Sequence, residues 1–70
     1  MTKRRHGLTR RQWKIMQLVA TGASNKEIAL SMQIESRTVQ AHISNIMGRL
    51  GASSRTECVY LLGWITIPLG

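Results

Sequence analysis

Seventy residues suffice for one small domain and leave no room for a second core or a catalytic cleft of ordinary size. Lys and Arg number ten against three acidic residues, and the formal net charge of +7 points to a polyanionic partner. At 43% hydrophobic the chain is too apolar for a disordered basic tail, and with no Phe and 4% aromatics it has little material for a base-stacking platform.

Residues 1–7 are polar and basic, lack apolar periodicity, and read as a flexible arm. Lys3, Arg4 and Arg5 resemble the start of a signal peptide, but His6, Arg10, Arg11, Gln12 and Lys14 stand where an apolar stretch would follow. From Leu8 the pattern changes. Thr9 and Gln12 have the spacing of a capping box, and Ile15, Met16 and Val19 recur on one face of a first helix over residues 10–21, which Thr21 and Gly22 close. Ser24 and Glu27 form a second box, opening a short helix with Ile28, Ala29 and Met32 on its apolar side and a turn around Gln33.

Glu35 or Ser36 then caps a third helix, about residues 36–50, with Val39, Ile43, Ile46 and Leu50 on one face and Gly51 at its end. Ser54 and Glu57 make a third box, and the fourth helix, about residues 55–66, carries Val59, Leu62 and Ile65 and stops before Pro68. Residues 68–70 are left as a tail. The expectation is an all-α domain of four helices over residues 8–67. The apolar run from Cys58 to Leu69 is broken by Thr66 and Pro68 and is shorter than the roughly 20 residues a bilayer span needs. No membrane association is expected. Cys58 is the one cysteine, so it forms no internal disulfide, which fits a reducing, cytoplasmic setting.

The third helix carries the functional signal. A step of about 100° per residue puts Arg37, Ala41, Ser44 and Gly48 opposite the apolar face, and no acidic residue lies between Ser36 and Leu50. Carboxylates would be repelled by phosphate, whereas small side chains let a helix backbone sit deep in a major groove. There the amides of Gln40 and Asn45 can pair with base edges. The competing reading is that Ala41 and Gly48 permit close packing against another helix. A short helix, a four-residue turn and a longer helix with one buried stripe is, however, the layout of a helix-turn-helix. Lys26, Arg37 and Arg55 also lie near helix N-termini, where the helix dipole disfavours a cation and welcomes an anion.

Leu8-Thr9-x-Arg11, Gly22-x-Ser24-Asn25-Lys26-Glu27-Ile28-Ala29, Thr38-Val39-x-x-His42 and Leu50-Gly51-Ala52-x-x-Arg55-Thr56-Glu57 together resemble the LuxR/NarL-type, GerE-like DNA-binding domain of bacterial transcription regulators. The resemblance runs from Leu8 to about Leu62. It implies a sequence-specific binder of double-stranded DNA whose second and third helices form the helix-turn-helix and whose fourth helix joins two copies. Arg37, Gln40, Ala41, Ser44 and Asn45 are then expected to face bases. Arg11, Asn25, Lys26, Thr38, His42, Arg49 and Arg55 are expected at phosphates, with His42 more a packed residue than a contact. Tyr60, Leu61, Trp64 and Ile65 are expected at a homodimer interface, because the fourth helix is apolar over more of its circumference than one core face needs. In the family such a domain usually follows a receiver or ligand-sensing domain, so the chain is expected to be either a stand-alone regulator or an effector module whose regulatory domain or partner protein lies outside it. Where many relatives carry Lys or Arg, this chain has Gln40, an amide suited to adenine, so the relatives' target sequences do not transfer. Glu35 stands where many relatives have Ser, and Gln12 where many have Glu.

Trp13, beside Arg11, Lys14 and Gln17, is expected either to cover the core edge or to lean on DNA sugars. His6 and Cys58 have no ligand partners at suitable spacing, so neither metal nor cofactor is expected, and no nucleophile and base pair suggests an enzyme. The alternative to a regulator is a protein-interaction module that docks through the fourth helix and touches nucleic acid without sequence preference.

Overall fold

The computed structural model describes residues 7–63, which form four α-helices: α1 (Arg10–Ala20), α2 (Asn25–Met32), α3 (Ser36–Leu50) and α4 (Arg55–Leu61). Among the described residues there is no strand, in keeping with the all-α expectation.

Local chemistry sets most of the boundaries. Thr9 accepts the Gln12 backbone N–H at 3.1 Å while the Gln12 amide oxygen accepts that of Thr9 at 3.0 Å, a complete capping box. This reciprocal bond explains how Gln12 is tolerated at 6% exposure. Ser24 and Glu27 close α2 in the same way, at 3.2 and 2.7 Å. Gly51, at φ +67°, ends α3 in the left-handed conformation that a Cβ disfavours.

Four boundaries differ from the sequence expectation. The first helix ends at Ala20, with Thr21 as its cap. Neither Glu35 nor Ser36 caps α3 with its side chain: Glu35 holds the N-cap position, but its carboxylate turns to Arg37, with the Nε atom at 2.8 Å. Ile34 before the cap and Val39 in the first turn occupy the two staple positions, and both pack in or against the core cluster. The turn between α2 and α3 is three residues, 33–35, and not four, because Gln33 adopts φ +60° and reverses the chain at once.

The fourth boundary is at α4, which stops at Leu61 and does not reach residue 66. Leu62 caps it and Gly63 turns away at φ +81°. At its start only half of the expected box forms. Ser54 accepts the Glu57 N–H at 3.1 Å, but the Glu57 carboxylate accepts from the Ser53 backbone N–H and hydroxyl at 2.6 and 2.8 Å.

One core joins all four helices: Leu8, Ile15, Met16 and Val19 from the first helix and its approach, Ile28 and Ala29 from α2, Val39, Ile43 and Ile46 from α3, and Cys58, Val59 and Leu62 from α4 and its cap. Trp13 is half-buried and packs against this cluster, which places it at the core edge. Fully burying one such side chain is worth about 1.5–3 kcal/mol. Because α3 contributes three core residues along its length, its opposite face is held at a fixed attitude to the solvent.

Candidate nucleic-acid interface

The face of α3 turned from the core is exposed from end to end: Arg37, Gln40, Ala41, Ser44, Asn45, Gly48 and Arg49. A Cβ added at Gly48 would meet nothing within 4 Å, and Ala41 is exposed. Among the described residues, the small side chains therefore do not serve helix packing. They leave a shallow, acid-free surface on a rigid helix, flanked by amide and cationic side chains. Thr38 and His42 lie half-buried at its margin.

Arg37 and Glu35 form the one ion pair among the described residues, with 87% and 69% of their side chains exposed. Such a pair contributes little in water, roughly 0–1 kcal/mol, so an incoming anion can draw Arg37 away at small cost. Arg11 and Lys26 are exposed in the first turns of α1 and α2. Arg49 is exposed and donates from Nη1 to the carbonyl of Gly7 at 3.0 Å, tying the last turn of α3 to the segment that leads into α1.

Asn25, Gln40 and Arg55 come together from three different helices. Arg55, half-buried at the start of α4, donates from Nη2 to the Oδ1 atom of Asn25. Asn25, half-buried at the start of α2, donates from Nδ2 to the Oε1 atom of Gln40 at 2.9 Å. Sequence reasoning placed these residues singly and missed the link. Separations of 15 and 30 residues leave no periodic trace, and the only available sign was that Asn25 and Arg55 each follow a capping serine.

On α4, Tyr60 and Leu61 are 50% and 42% exposed, while Leu62 packs inward. Trp64 and Ile65, the other two residues expected at a dimer interface, lie outside the described residues, as do most of the basic arm and residues 64–70. Neighbours on this helix titrate in opposite directions. Hydrogen bonds from the Ser53 backbone and hydroxyl hold the Glu57 carboxyl below its usual range, whereas burial pushes the Cys58 thiol up, with a smaller push from the Glu57 charge. Among the described residues, no group of three His, Cys, Asp or Glu is placed to hold a metal ion, and no helix is long and apolar enough to cross a membrane.

Comparison with known proteins places this geometry. Residues 6–62 match the family model of bacterial regulatory proteins of the luxR family, also termed GerE. The chain is 35% identical over 65 residues to the transcriptional regulatory protein DegU of Brevibacillus brevis, covering 89% of this chain and 28% of that one. It is 44% identical over 52 residues to the response regulator protein VraR of Staphylococcus aureus, covering 74% of this chain and 25% of that one. It thus spans about a quarter of the length of these curated relatives. Among solved structures, one described as the transcription factor GerE superposes with a TM-score of 0.79 at 37% identity, covering 84% of this chain and 87% of that one.

Proposed function

Because the chain belongs to the luxR family of bacterial regulatory proteins, we propose that it binds double-stranded DNA with sequence preference and so regulates transcription, with α3 lying in the major groove. The observation that carries this reading is the outer face of α3, exposed, acid-free, and kept small at Ala41, Ser44 and Gly48, with open space around Gly48. Arg37, Gln40, Ala41, Ser44 and Asn45 face bases. Arg11, Lys26, Thr38, Arg49 and Arg55 hold phosphates, with His42 and the α2 terminus at Asn25 beside them. Arg49 and Arg55 already bond within the protein, but a guanidinium carries five N–H donors, so each retains several for phosphate.

Two copies pair through Tyr60 and Leu61, with Trp64 and Ile65 joining them on the sequence expectation alone, and each reads one half-site. The domain serves either as a stand-alone regulator or as the effector module of a regulatory domain or partner protein. Binding to the chromosome places the protein in the bacterial cytoplasm. No step of this function is catalytic, and the family is one of regulators.

The test is selection of bound duplexes from a random pool, followed by a salt titration on the selected site and on its scramble. A preferred sequence is expected, together with affinity that falls with salt at a log–log slope of about 0.9 per phosphate neutralised. Ser44→Ala should relax one position of the site at a cost of about 1–3 kcal/mol. Equal affinity for site and scramble would overturn the reading and leave the interaction module, docking through Tyr60 and Leu61, as the better account.

A further inference from the structure

The hydrogen-bond chain from Arg55 through Asn25 to Gln40 has a direction, and the direction follows from chemistry. A side-chain amide can turn over and exchange its oxygen and nitrogen, but a guanidinium can only donate. Arg55 therefore fixes Asn25 with its oxygen towards α4, as observed. That orientation leaves the Asn25 NH2 group towards α3, where it meets the Gln40 oxygen at 2.9 Å. Gln40 is exposed, and because this bond turns its oxygen towards Asn25 and fills one of its two lone pairs, its NH2 group is the end turned towards a partner outside the chain.

We propose that Arg55 and Asn25 are specificity-positioning residues, which present Gln40 to DNA as a hydrogen-bond donor and so favour guanine, not adenine, at the base opposite it. This inference rests on the reading above that α3 enters the major groove. A glutamine free to turn pairs with adenine through both ends of its amide, accepting from N6 and donating to N7. Here the bond from Asn25 turns the accepting end towards α2, away from the bidentate arrangement that adenine needs. The major-groove edge of guanine, N7 and O6, offers acceptors side by side and suits a donor, whereas the N6 amino group of adenine would face another amino group. Closing the interface removes competing water from the exposed Asn25–Gln40 bond, which makes the orientation more decisive in the complex than in the free protein.

The polarity can be reversed by replacing one atom. In Asn25→Asp the carboxylate can only accept, from Arg55 on one side and from Gln40 on the other. Gln40 must then turn its NH2 inward and its oxygen outward. An aspartate in the first turn of α2 also suits the helix dipole, so folding should be preserved. In Asn25→Ala the hold on Gln40 is lost.

The experiment is selection from a random duplex pool with the wild type, Gln40→Ala, Asn25→Ala and Asn25→Asp, with melting curves to verify that each variant folds. In the wild type, guanine should be enriched about tenfold at one position of the site, and Gln40→Ala should erase that enrichment. Asn25→Ala should weaken it towards the tolerance of a free amide. Asn25→Asp should move the preference to a base that offers a donor, cytosine or adenine, on top of a uniform loss of affinity from the added charge. The inference is overturned if adenine is preferred in the wild type at the position that Gln40→Ala relaxes. It is equally overturned if that position ignores both Asn25 variants, or if Gln40→Ala relaxes nothing while other positions remain selected. Absence of any selected sequence in the wild type would instead sink the DNA reading itself, and this inference with it.

Discussion

The two faces of α3 share one backbone and answer to different partners. The inner face carries Val39, Ile43 and Ile46 at 0–2% exposure, branched aliphatics of the kind that any helix would use to fill a core. The outer face carries Ala41, Ser44 and Gly48 with amides and cations around them, and no acid from Ser36 to Leu50. Folding alone does not ask for that. A surface helix gains nothing from Gly48, which costs about 1 kcal/mol of helix propensity relative to Ala. On the proposed reading, a close, negatively charged partner gives the glycine and the missing carboxylates one explanation.

This contrast can be broken from either side. The largest expected effect is on the inner face. Ile46→Ala removes a fully buried side chain from the centre of the core and should cost about 2–5 kcal/mol of stability, read as a lower midpoint in a denaturant titration. DNA affinity should then fall only as far as the folded fraction falls. On the outer face the outcome should invert. Ala41→Glu leaves the core untouched, so stability should stay within about 0.5 kcal/mol of the wild type. It sets a carboxylate against the duplex, and binding should weaken by on the order of 2 kcal/mol, because like charges brought together at an interface cost that much or more. A variant that melts normally and binds DNA as well as the wild type would show that this face does not meet the duplex.

The same division explains what the sequence revealed. The inner face was legible because its signal is periodic and local: Ile15, Met16, Val19, Val39, Ile43 and Ile46 announce their helices at spacings of three and four, and Thr9 and Ser24 cap within four residues. The GerE-like motif blocks were legible for the same reason, being runs at fixed spacing. What escaped was set by tertiary contact or by competition between near-equal local bonds. Glu57 had two hydroxyl-bearing neighbours within reach, and the choice of Ser53 over a reciprocal box with Ser54 is invisible to spacing rules. Glu35 could cap α3 or pair with Arg37, and took Arg37. The Arg55 to Asn25 to Gln40 chain spans three helices, and only the packed fold brings its members together.

The smallest effect expected concerns α4, where solvent and core meet in adjacent residues. Glu57 is held below its ordinary range by Ser53, so the folded state favours its charged form. That contribution is fully present above the pKa of the unfolded chain and is lost as pH falls through the lower folded value. Cys58 is pushed up by burial, so the folded state favours the neutral thiol, and stability falls once pH exceeds the ordinary thiol value of about 8.5. Between the two, these residues add no slope. Melting curves over pH should therefore show Glu57→Gln less stable than the wild type at neutral pH, with the gap closing in acid. Cys58→Ala should start lower because it opens a small cavity, yet lose less than the wild type on the alkaline side. A Glu57→Gln gap of constant size down to strong acid would mean that the Ser53 bonds do not favour the carboxylate. An alkaline limb shared by Cys58→Ala and the wild type would assign that loss to the other titrating groups of the chain.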